Sequence, residues 1–329
     1  MIPAPDPALY WTLGALFAAL IVGSIARFIA LRNATQERRQ QRLASLRTWW
    51  MLAIFMSTGL LLGRLGICLL LGAASCIAWF ELTRMFGARA EDRLAIQVGY
   101  GLIVINYLLI LFEATSLYVA FLPLAASIAF AVSLLIQDVP KGYIRSTGAL
   151  LWGMLFLGYG VSHAAYLLTL SEIAAGPLGV AGWFLFLVIL TECDDIFQAI
   201  VGRLFGSHNR HRISPVISPN KTWEGFFGGM LVIVILAPII APWLTTLGTQ
   251  PGPFALTASL QPFVAPILAA LLISCAGFFG DINMSAIKRD SGVKDSSKLL
   301  PGMGGVIDRV DSLTMTAPVF VYFLIWWLP

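Results

Sequence analysis

The fold of this chain follows from one uncharged stretch of twenty residues, Gly225-Phe-Phe-Gly-Gly-Met-Leu-Val-Ile-Val-Ile-Leu-Ala-Pro-Ile-Ile-Ala-Pro-Trp-Leu244. A helix needs about 20 mostly apolar residues to cross the hydrocarbon core of a bilayer. The stretch meets that requirement, and comparable apolar runs precede and follow it along the chain. We therefore predict a polytopic membrane protein.

The composition supports the same class. The 329 residues are 58% hydrophobic and 12% charged, with a mean hydropathy of +0.84. A soluble domain carries about 25% charged residues. These values exclude a disordered chain, a collagen and a soluble nucleic-acid binder. The net charge of +4 and the pI near 9.0 fit an excess of Lys and Arg in cytoplasmic loops rather than a nucleic-acid interface.

The hydropathy pattern predicts an all-α bundle of about ten transmembrane helices and no soluble domain. The second and third spans form one apolar run that is too long for a single span. We interpret this run as a tight helical hairpin that turns at Gly63-Arg64. The predicted spans are 8–31, 49–64, 65–83, 97–113, 116–136, 147–170, 178–200, 224–246, 262–284 and 311–328.

Basic residues set the predicted orientation, because Lys and Arg concentrate in cytoplasmic loops. Six arginines place the first loop inside, and alternation of the ten spans then leaves only Arg64 outside. Both termini are predicted outside, and the two long polar loops, 201–223 and 284–311, face the cytoplasm. We expect residues 1–190 to form an anchor and scaffold and residues 191–329 to form the catalytic region.

Carboxylates intrude into two predicted spans near their cytoplasmic ends. Glu192, Asp194 and Asp195 lie in one span, and Asp281 lies in another. An ionisable side chain inside the membrane is costly unless it is paired or binds a cation, so these residues are functional candidates. Two further carboxylates at span ends fit either a functional role or a solvated helix terminus: Glu81 and Glu113.

The segment after the ninth span begins with a periodic set of polar residues. Asp281, Ser285 and Lys288 recur at i, i+4 and i+7, which places them on one face of a helix. The alternative interpretation is a basic juxtamembrane loop that only touches anionic lipid headgroups. That alternative explains the Lys and Arg residues of this segment but not the Asp residues among them.

A glycine-rich segment follows, Pro301-Gly-Met-Gly-Gly-Val-Ile-Asp-Arg-Val-Asp311. Glycines let backbone N–H groups approach an anion closely, and the positive dipole end of the next helix lies at the same place. Asp308 and Asp311, at i and i+3, share one face of that helix start. Because Mg²⁺ prefers few carboxylates together with phosphate oxygens, the pattern predicts a divalent metal that holds a polyphosphate.

The other polar loop contains Ser218-Pro-Asn-Lys-Thr-Trp-Glu-Gly225. Ser-Pro before a helical run predicts a helix start, and Lys221 adds charge to the free N–H groups there. This loop is therefore a second candidate phosphate cradle. His208 and His211 lie nearby, and we interpret both as solvated histidines rather than as metal ligands.

These polar positions resemble the signature of a known family. The run Ser285-x-Ile287-Lys288-Arg289-x4-Lys294-Asp295-x5-Pro301-x-Met303-Gly304-Gly305-Val306-x-Asp308-Arg309-x-Asp311 is similar to that of the phosphatidate cytidylyltransferases, also called CDP-diglyceride synthetases. Two further elements fit the family: Asp195, seven residues before Gly202, and the run from Ser218 to Gly225.

The resemblance implies an enzyme of the inner or plasma membrane that joins CTP to phosphatidate, giving CDP-diacylglycerol and pyrophosphate, with its active site facing the cytoplasm. It also implies Mg²⁺ as cofactor, K⁺ as a second cation, and a homodimer in the lipid bilayer. Asp281 and Asp308 would hold the metal. The further catalytic residues implied are Lys288, Lys294 and Asp311. The substrate-binding residues implied are Asp195, Ser218, Lys221, Ser285, Arg289, Asp295, Gly304, Gly305 and Arg309.

Two departures from the family pattern stand out. Met303 occupies the position at which the family usually has His, and methionine cannot donate a hydrogen bond or carry a proton. The loop after Gly206 is about three residues longer than the usual family pattern. Met303 leaves open another lipid phosphate as substrate, or a homologue without activity.

Other functions compete with the cytidylyltransferase reading. A CTP-dependent lipid kinase, or a relative that acts on another lipid phosphate, would share the same motifs. A transporter or channel would suit ten spans, but transporters place their polar groups near the bilayer midplane. Here the unusual charges cluster at the cytoplasmic ends of the spans and in the adjoining loops, which favours catalysis at the membrane surface.

Overall fold

The computed structural model describes residues 7–32, 35–138, 140–170, 176–206, 211–250, 252–253 and 260–328. The helices are α1 Pro7–Ala30, α2 Gln36–Leu61, α3 Gly63–Met85, α4 Arg93–Leu111, α5 Thr115–Leu135, α6 Tyr143–Gly153, α7 Val161–Tyr166, α8 Gly179–Phe205, α9 Trp223–Leu244, α10 Gln261–Asp290, α11 Ile307–Val310 and α12 Leu313–Trp327. A π-helical segment, Met154–Gly160, joins α6 to α7 without a break. Two short antiparallel strands, β1 Arg212–Ser214 and β2 Ser218–Thr222, form a hairpin between α8 and α9.

The helical bundle confirms the predicted fold class. Eight helical segments among the described residues are long and apolar enough to cross a membrane. Two more long helices, α2 and α8, occupy the positions of the second and seventh predicted spans. Polar residues set them apart, because α2 begins with a run of Glu, Gln and Arg and α8 contains three carboxylates.

The predicted hairpin at Gly63 is confirmed: α2 ends at Leu61, and Gly63 adopts a φ of 64°. The two largest differences from the predicted spans are at the start of α2 and the end of α10. Helix α2 begins at Gln36 rather than at residue 49, because its polar start consists of strong helix formers. Helix α10 continues to Asp290 rather than stopping at residue 284, so the polar face of the ninth span is helical, as its spacing indicates.

Contacts between connecting segments define the two ends of the bundle. At one end, the connection between α8 and α9 meets the connection after α10, where Arg289 Nε donates to the Ile217 carbonyl at 3.3 Å. At the other end, Arg64, in the first turn of α3, pairs with Glu113, between α4 and α5. The two motif-bearing loops therefore share one end, which we call the loop end.

Two glycines bring the polar parts of neighbouring helices together. A Cβ at Gly280 on α10 would lie 2.7 Å from the Asp311 carbonyl oxygen, and a Cβ at Gly229 on α9 would lie 2.8 Å from Oδ1 of Asp194. Both distances are too short for a side-chain carbon. Glycine at these positions therefore allows α9, α10 and the start of α12 to converge around the carboxylates of α8.

Gly280→Ala should destabilise the bundle, because the new methyl group meets backbone that cannot rotate away. Overpacking of this kind costs about 1–3 kcal/mol, which should lower the Tm of the protein purified in detergent micelles. Gly101→Ala on α4 is the matched control, since a Cβ there meets nothing within 4 Å. An unchanged Tm for Gly280→Ala would contradict the close packing of α10 against α12.

Candidate active site

The carboxylate of Asp194 is buried in the bundle and bonded on both oxygens. Ser274 Oγ on α10 donates to its Oδ1 at 3.1 Å, and Gln198 Nε2, one turn along α8, donates to its Oδ2 at 2.8 Å. A buried carboxylate needs such donors, because an unpaired one is strongly destabilising. Asp194 therefore ties α8 to α10 and orients the Gln198 side chain.

Lys221, which lies on β2 in the first motif, contacts both α8 and α10. Its Nζ donates to Gln198 Oε1 at 3.0 Å and forms an ion pair with Oδ2 of Asp281 at 2.8 Å. The ammonium also lies 5.5 Å from the centroid of the Phe278 ring, within the range of a cation–π interaction. A lysine of the first motif and a carboxylate of the second are thus in direct contact.

The backbone around Lys221 differs from the predicted helix start. Ser218–Thr222 forms strand β2, and α9 begins at Trp223. The N-cap is Thr222, whose Oγ1 accepts from the Gly225 N–H at 3.1 Å. The Ser-Pro signal was therefore misplaced by four residues, because Ser218 pairs across the hairpin with Ser214 and so lies in a strand.

The charge of the Lys221 ammonium is influenced by three carboxylates. Burial lowers the pKa of Lys221, but the negative charges of Asp281, Asp195 and Asp311 outweigh burial and raise its pKa above the ordinary value. A raised lysine pKa keeps the charged form through neutral pH and loses its stabilising effect only in strongly alkaline solution. Lys221 is therefore a fixed positive charge among the carboxylates of α8, α10 and the start of α12.

Serine hydroxyl groups contact two of the carboxylates around Lys221. Ser312 Oγ donates to Oδ2 of Asp195 at 2.7 Å, and Ser285 Oγ lies 3.4 Å from Oδ1 of Asp281, a long hydrogen bond. Arg309 Nε is buried and has no hydrogen-bond partner among the described residues. Because an unsatisfied buried donor is costly, Arg309 is suited to receive an anionic ligand.

Asp308 has a different environment from Asp281. Lys288 Nζ donates to its Oδ1 at 2.7 Å, and its Oδ2 accepts from the Gly305 N–H at 2.9 Å and from both the N–H and the Oγ of Ser296, at 3.2 and 3.0 Å. These donors occupy both oxygens. Asp308 thereby anchors the glycine-rich loop, and its predicted role as a metal ligand stays a prediction.

Glu81 is the residue whose importance the sequence left open. Its carboxylate lies near the end of α3 and is 3% exposed. It accepts four hydrogen bonds from the polar segment 284–311, which we call the second loop. Ser296 Oγ and Ser297 Oγ donate at 3.1 and 2.6 Å, and the Val306 and Ile307 N–H groups donate at 3.0 and 2.9 Å. Glu81 therefore caps α11 from a distant part of the chain.

In this structure the N–H groups of the glycine-rich loop have acceptors within the protein. Those of Gly305, Val306 and Ile307 donate to the carboxylates of Asp308 and Glu81, and the substrate-binding role of Gly304 and Gly305 stays a prediction. Gly304 adopts a φ of 87°, which a glycine accepts without strain. The loop is thus shaped by the protein's own anions.

The remaining predicted residues lie around this centre. Lys294 and Asp295 are exposed on the second loop, as is Arg289, which also donates Nη1 to the Val293 carbonyl at 3.1 Å. Met303 is half-buried in the turn, where its N–H donates to the Leu300 carbonyl at 3.0 Å. Ser218 is half-buried in β2.

The structure distinguishes the two carboxylates whose roles the sequence left open, and it describes one of the two histidines. His211 is exposed and pairs with Glu224, whereas His208 and the longer loop after Gly206 lie outside the described residues. Glu113 is a surface carboxylate, paired with Arg64 away from the loop end. A functional interpretation therefore applies to Glu81 and not to Glu113.

The donor set around Lys221 fits a divalent cation with a phosphate ligand. Within the described ranges, no three His, Cys, Asp or Glu side chains are arranged as a metal cage. Mg²⁺ does not need one, because it usually takes one or two carboxylates and completes its shell with water and substrate phosphates. Oδ2 of Asp281 pairs with Lys221, and the buried Nε of Arg309 has no hydrogen-bond partner among the described residues.

Glu81→Gln should loosen the second loop, because the amide keeps one acceptor oxygen where the carboxylate has two. Hydrogen bonds to a charged group contribute about 1.5–3 kcal/mol each, so the Val306 and Ile307 amides should exchange hydrogen much faster. Hydrogen-exchange mass spectrometry of the purified protein measures this. Glu113→Gln is the control, and unchanged exchange in Glu81→Gln would contradict the anchoring role.

Comparison with known proteins identifies a family for this arrangement. A sequence model described as the cytidylyltransferase family matches residues 42–327. That range contains Glu81, Lys221 and the whole second loop. The match therefore covers the loop end and most of the bundle.

Individual relatives agree with the family match. The uncharacterized protein YnbB of Escherichia coli K12 is 38% identical over 315 residues, which are 95% of this chain and 97% of YnbB. Phosphatidate cytidylyltransferases of Haemophilus influenzae and Chlamydia muridarum are 39% and 34% identical over 42% and 56% of this chain. The matches span 44% and 56% of those two relatives. The chain belongs to the cytidylyltransferase family.

Proposed function

We propose that this protein is a CTP:phosphatidate cytidylyltransferase, which forms CDP-diacylglycerol and releases pyrophosphate. The contact between Lys221 and Asp281 carries the proposal, because it unites the two sequence motifs in one charged site. The names of the partial relatives support phosphatidate as substrate. The site would face the cytoplasm from the cell's inner or plasma membrane, where a lipid headgroup meets soluble CTP.

The chemistry of this reaction needs charge more than it needs a base. The phosphate of phosphatidate is already an anionic nucleophile, and it attacks the α-phosphorus of CTP while the bond to pyrophosphate breaks. The difficulty is to bring two polyanions together and to stabilise the leaving group, which fixed charges and in-line positioning achieve. Lys221 and Arg309 provide buried or partly buried positive charge for this purpose.

Mg²⁺ is proposed as the cofactor, with K⁺ as a second cation. Asp281, flanked by Asp195 and Asp311, would hold the ion, and Lys221 would contribute to binding the phosphates. A bound Mg²⁺ neutralises charge on a polyphosphate. Lys288 and Asp308 would act by fixing the second loop, since they are bonded to each other. Lys294, Asp295 and Arg289 are exposed enough to meet the nucleotide.

Asp281→Asn should reduce the conversion of labelled CTP into a lipid-soluble product roughly 100-fold or more, as loss of a key electrostatic group does in other enzymes. The assay uses purified protein, phosphatidate and Mg²⁺. Asp290→Asn removes an exposed carboxylate from the end of the same helix and should leave the rate unchanged. Full activity of Asp281→Asn would refute the role given to this carboxylate.

The product of the wild-type reaction tests the function itself. Mass spectrometry should find CDP-diacylglycerol when phosphatidate and CTP are supplied. A phosphorylated lipid would indicate the kinase, and a product formed only from another lipid phosphate would indicate a related transferase. Absence of any product from folded protein would contradict an active enzyme and favour a silent homologue.

Chelation should abolish the reaction, because the carboxylates of the site repel the phosphates of CTP unless a cation lies between them. Activity measured in EDTA should fall to background and return when excess Mg²⁺ is added. Adding the chelator to folded protein that already holds CTP tests the loss of the metal separately from any failure to fold. Undiminished turnover in EDTA would contradict the proposed cofactor.

A further inference from the structure

The first two helices enclose a groove that the proposed reaction does not use. The groove between α1 and α2 has a volume of about 650 Å³ and is open to the surroundings. Its walls are apolar and aromatic, with Phe28 on α1 and Trp50, Met51 and Phe55 on α2. Among the described lining residues, the charged side chain is that of Arg47.

Helix α1 stands apart from the rest of the bundle. Three of its residues are buried: Leu9, Leu13 and Ser24. Trp50 Nε1 donates to Ser24 Oγ at 3.1 Å, which fixes the position of the tryptophan at the groove. The groove is therefore bounded by two helices and left open where the surrounding lipid would lie.

A second arginine lies on the same side of α1. Arg27 follows Ser24 by three residues, so both are on the face turned toward α2. Arg27 Nη1 is buried and has no hydrogen-bond partner among the described residues. A buried guanidinium nitrogen without an acceptor is costly. One arginine, Arg47, therefore lines the groove, and a second, Arg27, lies beside its lining residue Phe28.

The charged end of the groove lies at the level of the loop end. Thr48, the residue after Arg47, donates its Oγ1 to the Pro301 carbonyl at 2.9 Å. This contact places Arg47 beside the polar second loop, where the membrane meets water. Trp50, one turn further along α2, suits the same interface, since tryptophan is enriched at the headgroup level.

We propose that the groove between α1 and α2 binds an anionic glycerophospholipid of the surrounding bilayer. Its phosphate would contact Arg47 and Arg27, and an acyl chain would lie along Met51, Phe55 and Phe28. A second copy of the chain fits less well. Two-fold pairing would bring like charges together, and the described lining contains no carboxylate to offset them.

The proposal is tested with photoactivatable phosphatidate carrying its reactive group on the acyl chain, diluted into phosphatidylcholine vesicles that contain the full chain. Without CTP, the label should map to residues 43–55 of α2. The double variant Arg27→Gln/Arg47→Gln should lower this labelling about fivefold or more, as expected for loss of basic residues at a lipid phosphate. Because CTP is omitted, the result does not depend on the proposed catalytic function.

Matched variants distinguish lipid binding in this groove from a general electrostatic attraction between the protein and anionic lipid. Arg39→Gln/Arg42→Gln removes the same charge from exposed positions of α2 outside the groove and should leave the labelling within about twofold. Met51→Trp should fill the apolar wall and lower the labelling with both arginines present. The proposal is overturned if both arginine pairs lower the labelling equally, if a phosphatidylcholine probe labels as strongly, or if α2 crosslinks to a second copy instead.

Discussion

The structure depends on how buried carboxylates are paired at one end of the helical bundle. A buried carboxylate is tolerated only when a cation or several donors face it. Lys221 meets this requirement for Asp281 through a direct ion pair, and Ser312 donates its Oγ to Asp195. These contacts join four segments of the chain: α8, β2, α10 and the turn before α12. The candidate site exists because these contacts bring the four segments together.

In the second loop, carboxylates rather than an ammonium group hold the surrounding segments together. Here, two carboxylates organise the backbone: Asp308 binds Lys288 and Gly305, and Glu81 caps the start of α11. Ser296 donates its N–H to Asp308 and its Oγ to Glu81, so the loop is held as one unit. This leaves the Lys221 centre, with the carboxylate of Asp281 and the unpaired Nε of Arg309, as the place where we propose that a cation and phosphates bind.

Much of the fold was predictable from sequence, because the length and hydropathy of a span are local properties. The turn at Gly63 and the helical continuation through Asp281 and Lys288 are of this kind. Glu81 was not predictable as an anchor, since its partners lie 215 to 226 residues away and nothing local distinguishes it from Glu113. The acceptor of the Val306 and Ile307 N–H groups could not be predicted for the same reason, because Glu81 comes from a distant element.

We propose that Asp281 and its neighbouring carboxylates bind a divalent cation together with CTP. Mn²⁺ can replace Mg²⁺ as a paramagnetic probe, and electron paramagnetic resonance counts the ions bound to the purified protein when CTP is present. The account predicts CTP-dependent Mn²⁺ binding that is lost in Asp281→Asn and kept in Glu113→Gln. Equal Mn²⁺ binding by wild type and Asp281→Asn would contradict it.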